Sequence, residues 1–279
     1  MKFGLLGRVL GHSLSPQIHQ ALFRALGTED TDTYELLERE PEEVASFVQE
    51  NPEGLRGSNV TIPYKETVLP YLAASAPEAA KIGAVNTLSF SPQGVKGYNT
   101  DYLGFDRMLQ AAGISLEGAA VTVLGNGGAA KAVLQVLADR RAASIRILVR
   151  DRAKAEDALA HFLTQRPDTL LETYGSAERE GRGGQVIINT TPVGMFPKVG
   201  ESPVSAAFTA RFAAAVDIIY NPGETRFLAD ARETGARTCN GLYMLVAQAV
   251  ASEEIWQQKK MDPELIPEIM KQLEATFHG

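Results

Sequence analysis

Asn59, Thr61 and Lys65 place a carboxamide, a hydroxyl and an ammonium within one short stretch, Asn59-Val60-Thr61-Ile62-Pro63-Tyr64-Lys65. Side chains two apart in a strand share a face, so a strand over 55–60 aims Asn59 and Thr61 at one ligand. Pro63 stops that strand, and Lys65 stands at the start of the next helix. Such a set suits a small, polyhydroxylated, anionic molecule. The bland alternative is a strand-to-helix connection with a solvated lysine. Upstream, Gly11-His12-Ser13-Leu14-Ser15-Pro16 reads as a loop ending in a helix start, with Ser15 as N-cap and Pro16 at the first helical position. Hydroxyls and free amides at a helix N-terminus attract anions, so Ser13 and Ser15 are candidates for holding a carboxylate. Downstream, Asn86 lies in an apolar strand over 84–90. Asp101 opens a helix, either as its cap or as a functional carboxylate.

A second constellation is Gly125-Asn126-Gly127-Gly128-Ala129-Ala130, a G-x-G-x-x-A turn. It follows the apolar strand 119–124 and opens a helix carrying Ala132, Val133, Val136 and Leu137; a further strand follows over 145–149. That is the strand–turn–helix–strand context in which such glycines let a backbone approach a pyrophosphate. The alternative is a glycine turn with a structural role only. The strand end then bears on the cofactor: Val149-Arg150-Asp151-Arg152-Ala153-Lys154 offers Arg150, with Arg152 or Lys154, to clamp the 2′-phosphate of NADP. Asp151 is the acid that NAD enzymes place there for the ribose hydroxyls, unless it only caps the next helix. Strands over 186–189 and 215–219 end in Thr190-Thr191-Pro192 and Tyr220-Asn221-Pro222. Ligands of such sheets lie beyond the carboxyl ends of the strands, so Thr190, Thr191, Ile218 and Tyr220 are candidate contacts.

These residues need elements to hold them. Phe3 to Leu6 reads as a first strand; Ile18, Ala21, Leu22, Ala25 and Leu26 form the buried stripe of a helix. Strand 34–37, a helix opened by Pro41 and strand 55–60 continue a βαβαβ order, which predicts a mainly parallel sheet covered by helices. A hairpin turns at Ser91-Pro92-Gln93-Gly94. From Gly241 the chain reads as two helices, the first containing Gln248; a helix pair is too small to fold alone, so it is expected to pack on the N-terminal sheet. Arg179-Glu180-Gly181-Arg182-Gly183-Gly184 reads as a mobile loop.

The whole chain has 279 residues and a net charge of −7, with no long basic run, which argues against nucleic acid or an anionic membrane as partner. One cysteine, Cys239, excludes an internal disulfide and reads as a small buried hydrophobe. No apolar run reaches the ~20 residues of a membrane span, and the N-terminal apolar run is too short for a signal segment. A cytoplasmic location is expected. His12, His19, His161 and His278 lack metal-ligand spacing, so no metal is expected; His12 reads as a loop histidine bonded to backbone.

Seven motifs in order resemble the shikimate dehydrogenase family: Gly11-His12-Ser13-Leu14-Ser15-Pro16, Asn59 through Lys65, Gly83-Ala84-Val85-Asn86-Thr87, Asn99-Thr100-Asp101, Gly125 through Ala129, Asp217-Ile218-Ile219-Tyr220-Asn221-Pro222, and Gly241-Leu242-Tyr243-Met244-Leu245 followed by Gln248. The resemblance covers essentially the whole chain. It implies an α/β substrate domain of mainly parallel sheet, residues 1–101 with 241–279, and an inserted Rossmann domain, residues 102–240. The implied activity is reversible, NADP-dependent reduction of 3-dehydroshikimate to shikimate. By motif position Ser13 and Ser15 would hold the substrate carboxylate, and Asn59, Thr61, Asn86, Tyr220 and Gln248 would surround the ring. Lys65 and Asp101 would form the catalytic pair, while Gly125, Asn126, Gly127, Gly128, Ala129, Arg150, Asp151, Lys154, Thr190, Ile218, Gly241 and Met244 would contact the cofactor. The chain departs from the family pattern at Val149-Arg150-Asp151, where Asn-Arg-Thr is usual, at Asn126, and at Tyr243.

Elementary chemistry fits that implication. Hydride transfer to a ketone leaves an alkoxide, which needs a proton donor or a nearby cation; Lys65 supplies both. Two other readings stay open here: a quinate/shikimate dehydrogenase using NAD, and a non-catalytic metabolite sensor. The implied partner is a small molecule, with the protein a monomer or a homodimer.

Overall fold

Alternation of apolar strand runs with amphipathic helical stripes gives the chain two separate sheets, as seen in a computed structural model that describes residues 1–11 and 13–277. His12 and His278 lie outside the described residues. In chain order the N-terminal elements are β1 (Lys2–Gly7), α1 (Ser15–Leu26), β2 (Thr33–Glu38), α2 (Val44–Glu50), β3 (Gly57–Val60), β4 (Ala74–Ser75), α3 (Pro77–Ile82), β5 (Thr87–Ser91), β6 (Gly94–Tyr98) and α4 (Thr100–Ala111). The middle of the chain forms β7 (Ala120–Leu124), α5 (Gly128–Asp139), β8 (Ser144–Val149), α6 (Arg152–Ala158), α7 (Ala160–Gln165), β9 (Leu170–Thr173) and α8 (Tyr174–Glu180). It continues with β10 (Gly184–Asn189), α9 (Ala206–Thr209), β11 (Phe212–Asp217), α10 (Arg226–Glu233) and β12 (Arg237–Cys239), and the chain closes with α11 (Leu242–Gln257) and α12 (Leu265–Phe277).

Two compact units result, Met1–Gly104 with the chain from Val246 onward, and Phe105–Leu245. The boundaries fall inside α4 and α11, because both helices continue unbroken where the sequence motifs end.

The first unit holds a six-stranded sheet in the order β2-β1-β3-β5-β6-β4. β1 pairs in parallel with β2 and β3, and β4 in parallel with β6, while the β5–β6 hairpin runs antiparallel to β3 and to itself. Of the C-terminal helices, α11 packs on this sheet and α12 packs against α1. Trp256 of α11 is 1% exposed, stacks on Phe3 at 4.8 Å, and donates its indole N–H to the Leu88 carbonyl at 2.8 Å. Its ring fills the space over Gly57, where any Cβ would collide with it.

The second unit holds a sheet in the order β12-β11-β10-β7-β8-β9, parallel throughout. Counted from β7 along the chain this is 3-2-1-4-5-6 read from β9, the doubly wound Rossmann order. A core of Leu124, Leu148, Ile187, Phe208, Phe212 and Phe227 lies on one of its faces.

Local expectations needed correction in five places. α1 begins at Ser15 itself, and Leu14 occupies the cap position without a side-chain cap. β3 begins at Gly57, two residues later than expected, and Lys65 sits in a turn over 62–68, not at a helix start. Asn86 precedes β5 instead of lying within it. Arg179 and Glu180 end α8, Gly181 closes it in the left-handed region at φ 64°, and Gly184 starts β10, so the loop is only the short connection 181–183 between a helix and a strand. The short strands β4, β9 and β12 escaped notice because a strand with one inward residue, such as β9, carries no readable period.

Candidate active site

Lys65 and Asp101 meet directly. The Lys65 ammonium lies 2.6 Å from Asp101 Oδ2, and the two side chains are only 20% and 15% exposed. An ammonium–carboxylate bond of that length is charge-assisted. Asp101 is free for it because Asn99 does the capping. Asn99 Oδ1 accepts from the Tyr102 N–H at 3.1 Å, and Asn86 Oδ1 accepts from the Thr100 N–H at 2.6 Å. The first amides of α4 are thus satisfied without Asp101. Lys65 is fixed from its own side: its carbonyl accepts from the Val85 N–H at 2.8 Å, and the neighbouring buried Tyr64 donates its hydroxyl to the Arg39 carbonyl.

The other residues of this unit divide into two groups. Ser13 and Thr61 line a cavity of about 250 Å³ together with Leu5, Val9, Leu10 and Gly11. Ser13 Oγ also accepts from the Ser15 N–H at 3.2 Å, a structural task the sequence did not suggest for it. The Ser15 side chain is hydrogen-bonded to the Tyr34 hydroxyl, whose pKa is pushed well above its ordinary value by burial, with the Ser15 bond offsetting part of the rise and the Glu253 carboxylate adding to it.

Asn59, by contrast, is consumed by the fold. It is 5% exposed, its Oδ1 accepts from Tyr34 at 2.7 Å, and its Nδ2 donates to Ser252 Oγ at 2.8 Å, Thr87 Oγ1 at 3.0 Å and the Asn86 carbonyl at 3.3 Å. Asn86 spends its Oδ1 on Thr100 and Thr87, and its Nδ2 has no hydrogen bond to a described residue. Gln248 is half-buried, one turn ahead of Ser252 on α11, and its carbonyl accepts from Ser252 Oγ at 3.0 Å. Tyr34, Thr87, Thr100 and Ser252 are the positioning residues that sequence reasoning missed. Thr87 and Thr100 stand beside Asn86 and Asp101 within the quoted motifs, which was the one signal available; Tyr34 and Ser252 sit next to charged residues and carry none. Beneath them His19 Nδ1 lies 2.7 Å from Glu253 Oε1, both fully buried, with the His19 ring stacked on Tyr34 at 4.0 Å.

In the second unit the glycine turn has the form its sequence requires. Gly125 sits at φ 98°, and a Cβ there would lie 2.8 Å from Thr191 Cγ2. Gly127 caps α5 and Gly128 begins it; a Cβ on either would meet open space, so the backbone there is bare. Asn126 and Ala129 are half-buried beside them. Thr190 ties the turn down, its N–H and its hydroxyl both reaching the Leu124 carbonyl, at 3.0 and 2.6 Å. A cavity of about 550 Å³ opens here, lined by Gly125 to Gly127, Val149, Arg150, Tyr174, Thr190 to Val193, Ser202 and Pro203.

Arg150 lines that cavity, but Asp151 is occupied elsewhere. It is the N-cap of α6, accepting from the Lys154 N–H at 3.2 Å, and that bond holds its carboxyl below the ordinary range. Lys154 turns its ammonium back to Asp151 at 3.5 Å, and Arg152 pairs with Glu156 at 2.8 Å. Asp217 is fully buried and orders the two adjoining strand ends: it accepts from Asn189 at 3.1 Å, the Ile219 N–H at 3.0 Å and Thr225 at 2.7 Å. Burial pushes its carboxyl up to about 6 despite those bonds. Tyr220 is half-buried just past β11, its hydroxyl raised by burial. Gly241 is glycine because the Ile218 carbonyl occupies the space of a Cβ, and Met244 is buried one turn on. Cys239 is a free, half-buried thiol that burial pushes up to about 11.

Among the described residues no group of three His, Cys, Asp or Glu side chains could hold a metal, and no helix is long and apolar enough to cross a membrane. A Rossmann sheet with a bare glycine turn in one unit, and a half-buried lysine–aspartate pair in the other, define the class as a dinucleotide-dependent oxidoreductase. Residues 5–88 match the family model described as the shikimate dehydrogenase substrate binding domain. Over 276 residues the chain is 41% identical to a shikimate dehydrogenase (NADP(+)) of Clostridium perfringens, covering 99% of each protein. Among solved structures, a chorismate mutase/shikimate 5-dehydrogenase fusion protein from Clostridium acetobutylicum matches with a TM-score of 0.90 and 42% identity, over 100% of this chain and 98% of that one. A shikimate 5-dehydrogenase from Thermus thermophilus in complex with NADP(H) and shikimate matches with a TM-score of 0.83 and 33% identity, over 98% and 99%. The chain belongs to the shikimate dehydrogenase family.

Proposed function

We propose that this protein is an NADP-dependent shikimate dehydrogenase, reducing 3-dehydroshikimate reversibly to shikimate on the route to chorismate and the aromatic amino acids. The observation that carries the reading is the 2.6 Å Lys65–Asp101 pair, held by two independent anchors in a unit that matches the family's substrate-binding domain. The first unit is the substrate domain and the second the dinucleotide domain. Ser13 and Thr61, on their shared cavity, face the substrate with Ser15, Asn86 and Gln248; by motif position Tyr220 is assigned to the substrate as well. Asn59 acts from behind by fixing Asn86 and Tyr34.

The second unit fits a dinucleotide on its own features. The open space over Gly127 and Gly128, the N-terminus of the twelve-residue helix α5, and Arg150 on the same cavity, with no ion pair among the described residues, suit a pyrophosphate and a 2′-phosphate. Gly125, Asn126, Ala129, Thr190, Ile218, Gly241 and Met244 shape that surface. Because Asp151 caps α6, the arrangement favours NADP over NAD. Bound NADPH supplies the hydride.

The remaining chemistry belongs to Lys65 and Asp101. As the substrate ketone becomes an alkoxide, the Lys65 ammonium stabilises the charge and delivers a proton; in the reverse direction neutral Lys65 accepts it. Asp101 orients the ammonium and accepts from a substrate hydroxyl. The partners are small molecules, and the protein works in the cytoplasm as a monomer or homodimer. Lys65→Ala should lower kcat by roughly 10²- to 10⁴-fold with a smaller change in the KM for shikimate. Near-normal turnover by a folded variant would remove Lys65 from the chemistry.

A further inference from the structure

Tyr174 is the one aromatic residue on the dinucleotide cavity, and nothing in the motif pattern singled it out. Its place follows from strand register. Val149 of β8 pairs with Thr173 of β9, so the next residues, Arg150 and Tyr174, leave neighbouring parallel strands side by side. Both then line the same cavity as Gly125 to Gly127. The Tyr174 ring packs against the core cluster that contains Leu148, Ala177 and Val204, which fixes its direction. Its hydroxyl makes no hydrogen bond to any described residue, although the rest of the side chain is half-buried. A hydroxyl held rigidly by packing, bordering a cavity and left without an internal partner, is placed to bond a ligand.

We infer that Tyr174 is a cofactor-specificity residue whose hydroxyl, beside the Arg150 guanidinium, donates to the 2′-phosphomonoester of NADP. This inference rests on the NADP reading above and names a second donor for the group that distinguishes NADP from NAD. Three further observations agree. Burial pushes the phenol's pKa up to about 12, with the Arg150 charge offsetting part of the rise, so it keeps its proton for donation at neutral pH. The usual acidic competitor, Asp151, is spent on capping α6. The other two cations of that stretch are paired, Lys154 with Asp151 and Arg152 with Glu156, so Arg150 needs a different helper for a dianion.

The test uses Tyr174→Phe, which keeps the packed ring and removes only the hydroxyl. Binding of adenosine 2′,5′-bisphosphate and of 5′-AMP is measured by titration calorimetry for the wild type and the variant. The variant should lose roughly ten- to a hundredfold in affinity for the bisphosphate, the worth of a hydrogen bond to a charged group, and keep its affinity for 5′-AMP. The NADP-over-NAD ratio of kcat/KM should fall by the same factor. A wild type that prefers the bisphosphate and a variant that keeps that preference overturn the inference alone, as does an equal loss for both ligands. A wild type that binds both ligands equally overturns the NADP reading along with it.

Discussion

At the scale of residues, function depends on which polar groups the fold leaves unspent. Asn59 and Lys65 are six positions apart and were both legible as polar groups at a strand end, yet their fates differ. Asn59 satisfies Tyr34, Ser252 and Thr87 inside the protein, while Lys65 pairs with Asp101 at the edge of solvent. Asn59→Ala should therefore act mainly on stability. It orphans several buried donors and acceptors, so a loss of about 1–3 kcal/mol is expected in chemical denaturation. Its effect on the KM for shikimate should be smaller than that of Thr61→Ala, and the reverse order would return Asn59 to the substrate surface. Residue identities showed which groups could bind a polyol acid, but hydrogen-bond partners were beyond reach, because Ser252 lies 193 residues from Asn59. Asp101 shows the same limit: a cap and a catalytic acid look alike in sequence until Asn99 is seen doing the capping.

At the scale of elements, the strand ends do the positioning. Long elements with a clear period, such as α1, α5, β7 and β8, were readable from the chain. Element ends were not, because they are decided by tertiary partners: β3 starts late where Gly57 meets Trp256, and the lysine turn replaces a helix where Tyr64 is drawn to the Arg39 carbonyl. The ends of β10 and β11 are joined by buried Asp217, and that junction has a pH signature. Its carboxyl titrates near pH 6 in the folded protein against 3.8 when unfolded, so the native state holds the proton more tightly. Stability from this group is greatest below the unfolded value and falls as pH rises through about 6. Asp217→Asn should remove that decline, worth on the order of 3 kcal/mol at most, when denaturant midpoints at pH 4 and pH 7 are compared with those of the wild type. An unchanged difference between the two pH values would show that Asp217 ionises freely in the fold.

At the scale of the whole molecule, the proposed reaction divides between the two units. The first holds the ammonium–carboxylate pair and the hydroxyls proposed for the substrate carboxylate. The second holds a Rossmann sheet with its bare glycine turn and Arg150. The strand–glycine turn–helix–strand unit and two later strands of this sheet were legible in the sequence; their order in the sheet was not. The outer strand β9 was not legible either, so Tyr174 at its end went unread. Full-length similarity to proteins named for one activity, together with this division of labour, makes substrate and cofactor choice the central claim. The most direct test is the rate of NADPH or NADH formation, followed by absorbance, with shikimate or quinate offered against NADP or NAD. Shikimate with NADP should give the highest kcat/KM of the four combinations. A preference for quinate or for NAD, or silence in all four from folded protein, would contradict the account.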